Sequence, residues 1–362
     1  MKIKTEKFKE LISKVSIGIG GDKLIPITEL ICVSSHNGKI TLITTDITNY
    51  VYAEADNEDK DDFEVVIFAE QLVKLVGKLT SEYITFEIDG GNLVISANGK
   101  YTVELPLDEN GEFIKYPNPR ANVNTDAESV DVSIEDIKKA IQIAKPSLAT
   151  TSDERPALTN YYVGDTLFAA NDVFVTEYKK KLFDTPQLIS AKLMDIIGSF
   201  ALSKANVIID NKYIYITCDN IAVYSKVNED INEYELDKVK QFISTKFDNS
   251  CKVRTSEFVS ALDRISLFVS KYDNDAVRLT FDSDSIAISN VKSGSNEAVE
   301  YIEKKSKSKK KFEAFEVYIN SKMLMDQLKA YIGDNVTVEY GTDFAIALVS
   351  EDTTQIISLM EV

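Results

Sequence analysis

At 362 residues the chain exceeds a single hydrophobic core and fits two or three domains; with 44% apolar residues it can bury them. Its net charge of −17 argues, taken alone, against a nucleic-acid partner, so the placement of the 41 basic residues becomes the informative question. Cys32, Cys218 and Cys251 share no C-x-x-C spacing and sit in or beside apolar runs, which argues against a disulfide framework and for small buried side chains in a reducing compartment.

Met1-Lys2-Ile3-Lys4 leads into a charged helix without an apolar leader, and no run approaches eighteen apolar residues; the expectation is a soluble, cytoplasmic protein without a membrane partner. Thr5 to Val15 sets Phe8, Leu11, Ile12 and Val15 on one helical face, the spacing that buries a stripe. Strands follow at Leu30–Ser34 and Lys39–Thr44, the second stopped by Thr45-Asp46, and one further strand leads to the helix Phe68–Leu79. Next come a strand at Tyr83–Ile88, a turn at Asp89-Gly90-Gly91-Asn92 and a strand at Leu93–Ala97.

The order returns. A helix is expected over Ser133–Ala144, with Ile137, Ala140, Ile141 and Ala144 on its apolar face, then strands at Tyr161–Val163 and Leu167–Ala170 with a stop at Asn171-Asp172. A second helix around Leu193–Ile197 precedes strands at Val207–Ile209 and Tyr213–Ile216. A third copy runs from the helix Thr255–Ile265 through strands at Val277–Phe281 and Ser285–Ile288, a helix at Leu324–Leu328, and strands at Val336–Tyr340 and Phe344–Leu348. Ser133 and Thr255 are N-cap candidates. Leu72, Leu193 and Leu324 head equivalent helices; the second interval is ten residues longer, and the tract Lys304-Lys305-Ser306-Lys307-Ser308-Lys309-Lys310-Lys311, read as a solvated loop, accounts for the excess. Boundaries at Tyr116-Pro117-Asn118-Pro119 and Phe247-Asp248-Asn249-Ser250 divide the chain into domains of residues 1–122, 123–248 and 249–362.

Each of the six expected helices carries more basic than acidic side chains, so the acidic excess lies elsewhere. A basic lining under an acidic exterior suits a polyanion held without sequence readout; lysine is also common on ordinary surface helices.

Leu24-Ile25-Pro26-Ile27 is followed by Ile40-Thr41-Leu42-Ile43-Thr44-Thr45-Asp46, Arg155 stands with Leu158, Ile319-Asn320 comes near the end with the tail Ile357-Ser358-Leu359-Met360, and three repeats run in order. In these features the chain resembles the bacterial DNA polymerase III beta subunit family, the sliding clamps, as a diverged member. The resemblance implies an α+β fold of three repeated clamp domains, each of two halves made of a helix with antiparallel strands. It further implies half of a closed ring with helices inside and sheets outside, completed by a head-to-tail homodimer around duplex DNA. The implied role is processivity for a polymerase, with clamp loader and other clamp-binding proteins as partners, and with no cofactor, metal or catalysis.

The DNA-facing groups would be cations on or beside the helices: Lys7, Lys14, Lys74, Lys78, Lys138, Lys139, Lys145, Lys192, Arg254, Arg264 and Lys329. Partners insert a short peptide with glutamine and large apolar side chains into a pocket. Here it would be lined by Leu158, Asn171, Val173, Phe174, Leu236, Asn320, Met323, Phe344, Ile346, Ile357 and Met360. Asn171-Asp172-Val173-Phe174-Val175 and Ser358-Leu359-Met360-Glu361 depart from the usual Thr-Asp-Gly-His-Arg and Met-Pro-Met-Arg, which bears on peptide preference. The closing interface would pair a strand near Lys100, Tyr101 and Val103 with the strand from Glu297 through Glu300, with Phe268 and Val269 beneath.

Enzymatic alternatives are poorly supported. His36 is the single histidine, in a hairpin turn Ser34–Gly38, which disfavours triads and histidine metal sites. The acidic run Asp56–Asp62 lacks the glycine and terminal Glu of a calcium loop and reads as a solvated turn. Gly18-Ile19-Gly20-Gly21 follows a helix, not a strand, and so fails as a dinucleotide fingerprint. The competing readings are a clamp-fold interaction scaffold without a DNA role and an acidic hydrolase whose dyad the sequence cannot single out.

Overall fold

The elements, in chain order, are β1 (Lys2–Lys4), α1 (Thr5–Val15), β2 (Leu30–His36), β3 (Lys39–Thr45), β4 (Asn49–Asp56), β5 (Phe63–Phe68), α2 (Ala69–Lys78), β6 (Tyr83–Asp89), β7 (Asn92–Ser96), β8 (Lys100–Glu104), β9 (Ser129–Ser133) and α3 (Ile134–Ala144). They continue as β10 (Asn160–Val163), β11 (Leu167–Ala170), β12 (Phe174–Tyr178), β13 (Gln187–Ser190), α4 (Ala191–Gly198), β14 (Lys204–Ile209), β15 (Tyr213–Cys218), β16 (Ile221–Lys226) and α5 (Leu236–Ile243). The last are β17 (Asn249–Arg254), α6 (Thr255–Ile265), β18 (Ala276–Phe281), β19 (Ser285–Asn290), β20 (Val299–Glu303), β21 (Phe315–Asn320), α7 (Ser321–Ala330), β22 (Asn335–Tyr340), β23 (Ala345–Val349) and β24 (Thr353–Ser358). This is a computed structural model, and it describes residues 1–150, 155–291, 296–305 and 314–361. No helix among the described residues is long and apolar enough to cross a membrane.

The chain divides into two units: Met1–Ile134 with Ser199–Val227, and Glu135–Gly198 with Asn228–Val362. The first holds a four-stranded sheet in the order β1-β6-β7-β8 and an eight-stranded sheet β5-β2-β3-β4-β16-β15-β14-β9. The second holds an eight-stranded sheet β13-β10-β11-β12-β24-β23-β22-β17 and a four-stranded sheet β20-β19-β18-β21. The strand pairings in these sheets are antiparallel, and each long sheet is welded from strands of different repeats. In the first, Val51 of β4 faces Val223 of β16; in the second, Phe174 of β12 faces Ile357 of β24.

Helical periodicity is realised as packing. Phe8, Leu11, Ile12 and Val15 of α1 are buried, as are Leu72 and Val76 of α2, and the rings of Phe8 and Phe86 lie 5.0 Å apart. In the second unit Phe258, Leu262 and Ile265 of α6 share a core with Leu324 and Leu328 of α7 and the strands beneath. Each such side chain contributes about 1.5–3 kcal/mol on burial. Gly90, at φ 58, supplies the left-handed residue of the β6–β7 turn.

On the opposite face of the first eight-stranded sheet lies a tyrosine-rich layer covered by residues 114–127. The Tyr116 hydroxyl donates to Leu30 O, the Tyr52 hydroxyl to Asn118 Oδ1, and Asn124 N donates to the Tyr213 hydroxyl. The two prolines there break regular structure, and side-chain hydroxyls replace the ladder.

Several expectations need correction. Two strands, not one, precede the second helix of each repeat: β4 and β5, β12 and β13, β20 and β21. A seventh α-helix, α5, accompanies the six among the described residues. Thr255 is not an N-cap: Arg254 holds that position in extended backbone, and Thr255 Oγ1 donates to Gly333 O. Lys304 is not solvated; at 8% exposure its ammonium donates to Asp282 O and Tyr340 Oη beside the stacked Phe281 and Tyr340 rings. The rest of that tract from Ser306 lies outside the described residues. His36 closes β2 and meets Asp62 Oδ1 at 2.7 Å, so the turn proper is Asn37-Gly38. The acidic run is a largely exposed turn, as expected, in which Asp59 accepts from Asp61 N and Lys2 N, and these amides hold its carboxyl below the usual range. The three cysteines are buried, and burial pushes the Cys32 thiol up to about 12 and that of Cys251 to about 11.

Candidate functional site

Residues from four separated stretches meet in the second unit around a concavity of 480 Å³. Its walls are Asp172 and Val173 from the turn before β12, Asn274, Ile319 and Asn320 at the end of β21, Met323 in α7, and Ile357 through Met360 at the end of β24. The volume is in the range of sites that hold a few large side chains.

Local chemistry fixes each wall. Asn171 Oδ1 accepts from Val173 N and Phe174 N at 2.9 and 2.8 Å, an Asx turn that aims Val173 into the opening. Asn320 Oδ1 accepts from Lys322 N and Met323 N, capping α7, while its Nδ2 donates to Asn274 O at 2.6 Å. The tail past β24 is pinned through its backbone: Ser358 N donates to Val173 O, Leu359 N to Phe344 O and Met360 N to Tyr318 O. At the rim Arg155 pairs with Asp172, and Lys322 with Asp275 at 2.7 Å.

Of the eleven positions carried over for this pocket, Val173, Asn320, Met323, Ile357 and Met360 line the concavity. Asn171 sits behind it as the turn-former. Phe174 and Ile346, at 6% and 0% exposure, lie in the core across the ladder from Ile357 and not in the lining. Phe344 is an exposed ring whose carbonyl anchors Leu359. Leu158 and Leu236 join a different cluster with Phe168, Leu188 and Tyr234. Leu236 also lines a second concavity of 450 Å³ with Tyr162, Ile231, Asn232, Glu235, Asp237 and Lys238. Asp172, Ile319, Ser358 and Leu359 also line the 480 Å³ concavity, and their adjacency to expected pocket residues is the signal that points at them; Asn274 lines it too, with no sequence signal.

The basic groups are distributed over the helices as their sequence positions require, but many are matched locally. Lys14 pairs with Glu10, Lys74 with Glu70, Lys139 with Glu135, Lys145 with Asp195, Arg254 with Glu257 and Arg264 with Glu300. Lys7 donates to Asp56 O. Lys78, Lys138 and Lys329 are exposed and Lys192 half-buried. Exposed pairs of this kind are weak and screened by salt, so a phosphate can compete for the cation. Six such matches nonetheless make the helices less positive than their lysines suggest.

Each four-stranded sheet ends in an open edge. In the first unit this is β8, with Lys100 exposed, Tyr101 half-buried and Val103 buried. Near it Leu107 and Phe113, paired across an isolated bridge, are 53% and 52% exposed. In the second unit it is β20, where Tyr301 is 72% exposed, and the Arg264 guanidinium holds the Glu300 carboxyl below its usual range. Glu297 precedes this strand, Phe268 is 48% exposed in the 3-10 turn Ser266–Phe268, and Val269 packs on the core. Leu267, at 81% exposure, is an additional apolar group on that unit.

The chain matches two family models: the N-terminal domain of the DNA polymerase III beta subunit over residues 1–117 and the C-terminal domain of the same subunit over residues 240–360. No curated protein sequence matches it. Among solved structures, the DNA polymerase III beta chain of Streptococcus pneumoniae is 17% identical with a TM-score of 0.84, covering 100% of this chain and 99% of that one. The DNA polymerase sliding clamp of Bacillus subtilis is 18% identical with a TM-score of 0.83, covering 100% and 98%. The beta subunit of Thermotoga maritima DNA polymerase III is 14% identical with a TM-score of 0.82, covering 100% and 99%. At such identities these likenesses establish the fold.

Proposed function

The chain belongs to the DNA polymerase III beta subunit family, the sliding clamps, and we propose that it works as a homodimeric ring around duplex DNA. It is an accessory processivity factor and not an enzyme. The proposed compartment is the cytoplasm, where the replicative polymerase, the clamp loader and other carriers of a clamp-binding peptide would be its partners. The repeat reading supports three domains, residues 1–122, 123–248 and 249–362.

The observation that carries the ring is the strand count. Where consecutive repeats join, eight strands make one sheet, twice over; what remains is a four-stranded sheet ending at β8 and another ending at β20. Pairing β8 of one copy with β20 of a second makes the missing eight-stranded sheet, satisfies two open edges and closes with twofold symmetry. The pairing brings the strand of Lys100, Tyr101 and Val103 against that of Glu297 and Glu300, with Phe268 and Val269 beneath, and opposite charges across the seam favour the register. Closed rings hold DNA topologically, so affinity for phosphate can stay weak, in keeping with cations that are already paired. The proposed DNA-facing groups are Lys7, Lys14, Lys74, Lys78, Lys138, Lys139, Lys145, Lys192, Arg254, Arg264 and Lys329. The 480 Å³ concavity is the proposed peptide pocket.

The test combines light scattering with topology. A dimer that the matching loader leaves bound to nicked circular plasmid, and that runs off once the plasmid is linearised, supports the reading. A monomer at micromolar concentration, or equal retention on both DNA forms, sinks it. The scaffold alternative draws on the six matched cations, and predicts a ring or a monomer with no DNA retention at any salt concentration.

A further inference from the structure

Behind the peptide concavity lies a chain of buried polar side chains that no part of the proposed function uses. Gln327 of α7 and Gln355 of β24 are both 0% exposed, as are Ser147 and Thr176. Gln355 Nε2 donates to Gln327 Oε1 at 2.7 Å and to Ile143 O, in the last turn of α3, at 3.2 Å. Gln327 Nε2 donates to Ser147 Oγ at 2.9 Å, and Ser147 Oγ lies 2.6 Å from Thr176 Oγ1. The chain therefore ties together α3, the turn after it, β12, α7 and β24.

Two of these elements carry the pocket. Gln327 stands one helical turn after Met323 on the same side of α7. Gln355 stands two residues before Ile357 on the same face of β24. Across the ladder Phe174 faces Ile357, and Thr176 faces Gln355. The pocket wall and the polar chain are consecutive layers of one helix and one strand.

We propose that Gln327 and Gln355 are positioning residues of the peptide pocket, fixing the separation and register of α7 against β24 so that Met323 and Ile357 face each other across it. The inference rests on the reading of that concavity as the peptide pocket. Its physical basis is a contrast with apolar packing. Leucine or methionine at both sites would fill the space, but such contacts are tolerant of a slide along the helix axis. Two interlocked amides make their three donor bonds, to Ser147 Oγ, Ile143 O and Gln327 Oε1, in one arrangement only, because a shift leaves those buried donors unpaired in a low-dielectric interior. Gln355 Oε1 itself has no partner among the described residues, so the pair is held by its donor side, and Ile143 O is the carbonyl that anchors it to α3.

The experiment compares wild type with the Gln327→Met/Gln355→Met double variant, which removes both amides while keeping volume, and with the single Gln355→Met variant. Affinity is read by fluorescence polarisation of a fluorescein-labelled pentapeptide beginning with glutamine and bearing leucine and phenylalanine at its large positions. The melting midpoint and dimer mass are read on the same samples. The expected result for the double variant is an affinity at least tenfold weaker, with a melting midpoint within a few degrees of wild type and an unchanged dimer. Unchanged affinity in a folded double variant overturns the proposal, whatever happens to the midpoint, and assigns the amides to stability alone. Should the double variant fail to fold, the single variant decides in the same way. Failure of the wild type to bind the peptide is a distinct outcome that sinks the pocket reading itself.

Discussion

Asn320 Oδ1 accepts the backbone N–H of Met323 at 3.0 Å, so the residue that ends β21 also starts the helix presenting a pocket side chain. One amide thereby sets both the N-terminus of α7 and the orientation of Met323, which is 37% exposed in the concavity wall.

Asn320→Ala should remove this cap and the bond from Nδ2 to Asn274 O. The expected loss is about 1–2 kcal/mol of stability, together with weaker peptide binding. Chemical denaturation and fluorescence polarisation check the two effects; a variant with unchanged denaturation midpoint would contradict the cap.

Glu54 has its carboxyl pulled in opposite directions. Burial tends to raise it, but hydrogen bonds from Lys39 and Arg120 win and hold it below the usual glutamate range. Because the folded value is the lower one, the contribution is fully present above the ordinary glutamate value of about 4.3 and disappears as pH falls through the folded value. Glu54→Gln should cost about 2 kcal/mol near neutrality, with the gap to wild type closing on acidification. Parallel denaturation curves with a constant gap between neutral and strongly acidic pH would rule this out.

Leu267→Glu places a charge where 81% of an apolar residue is now in water. Stability of the isolated chain should move by less than about 0.5 kcal/mol, while the proposed β8–β20 seam is disrupted. Sedimentation should show monomer at concentrations where wild type is a dimer. If the variant remains dimeric, Leu267 lies outside the seam.

Replacing Lys138, Lys139 and Lys145 by Glu, with Lys145 already beside Asp195, should shorten residence on circular DNA. The slope of log affinity against log salt should shallow by roughly one for each phosphate that is no longer neutralised. Identical salt slopes for variant and wild type would remove α3 from the DNA-facing surface.

Legibility followed locality. The stripe Phe8, Leu11, Ile12 and Val15 repeats within one helix, so Thr5–Val15 can be delimited as α1 from sequence alone. The pair β4 and β5 reads as a single strand in sequence, since residues 49–53 of β4 are continuously buried and show no alternation to mark a separate strand. α5 escapes sequence reading for another reason: it lies between β16 and β17, outside the recurring order that marks α4, a helix of the same length. Lys304 is misplaced by composition, which puts it in a lysine tract, whereas its partners Tyr340 and Asp282 come within reach only after folding.

The sequence by itself determined six of the seven helices among the described residues, most hairpins and the threefold recurrence, since these depend on neighbours within a few turns or one tight loop. Only the tertiary structure decided that strands of successive repeats share sheets, that Asp172, Asn274, Asn320 and Ile357 enclose one cavity, and that Gln327 meets Gln355. Those pairings join residues far apart along the chain, where the free energy of contact depends on the whole fold and leaves no periodic trace.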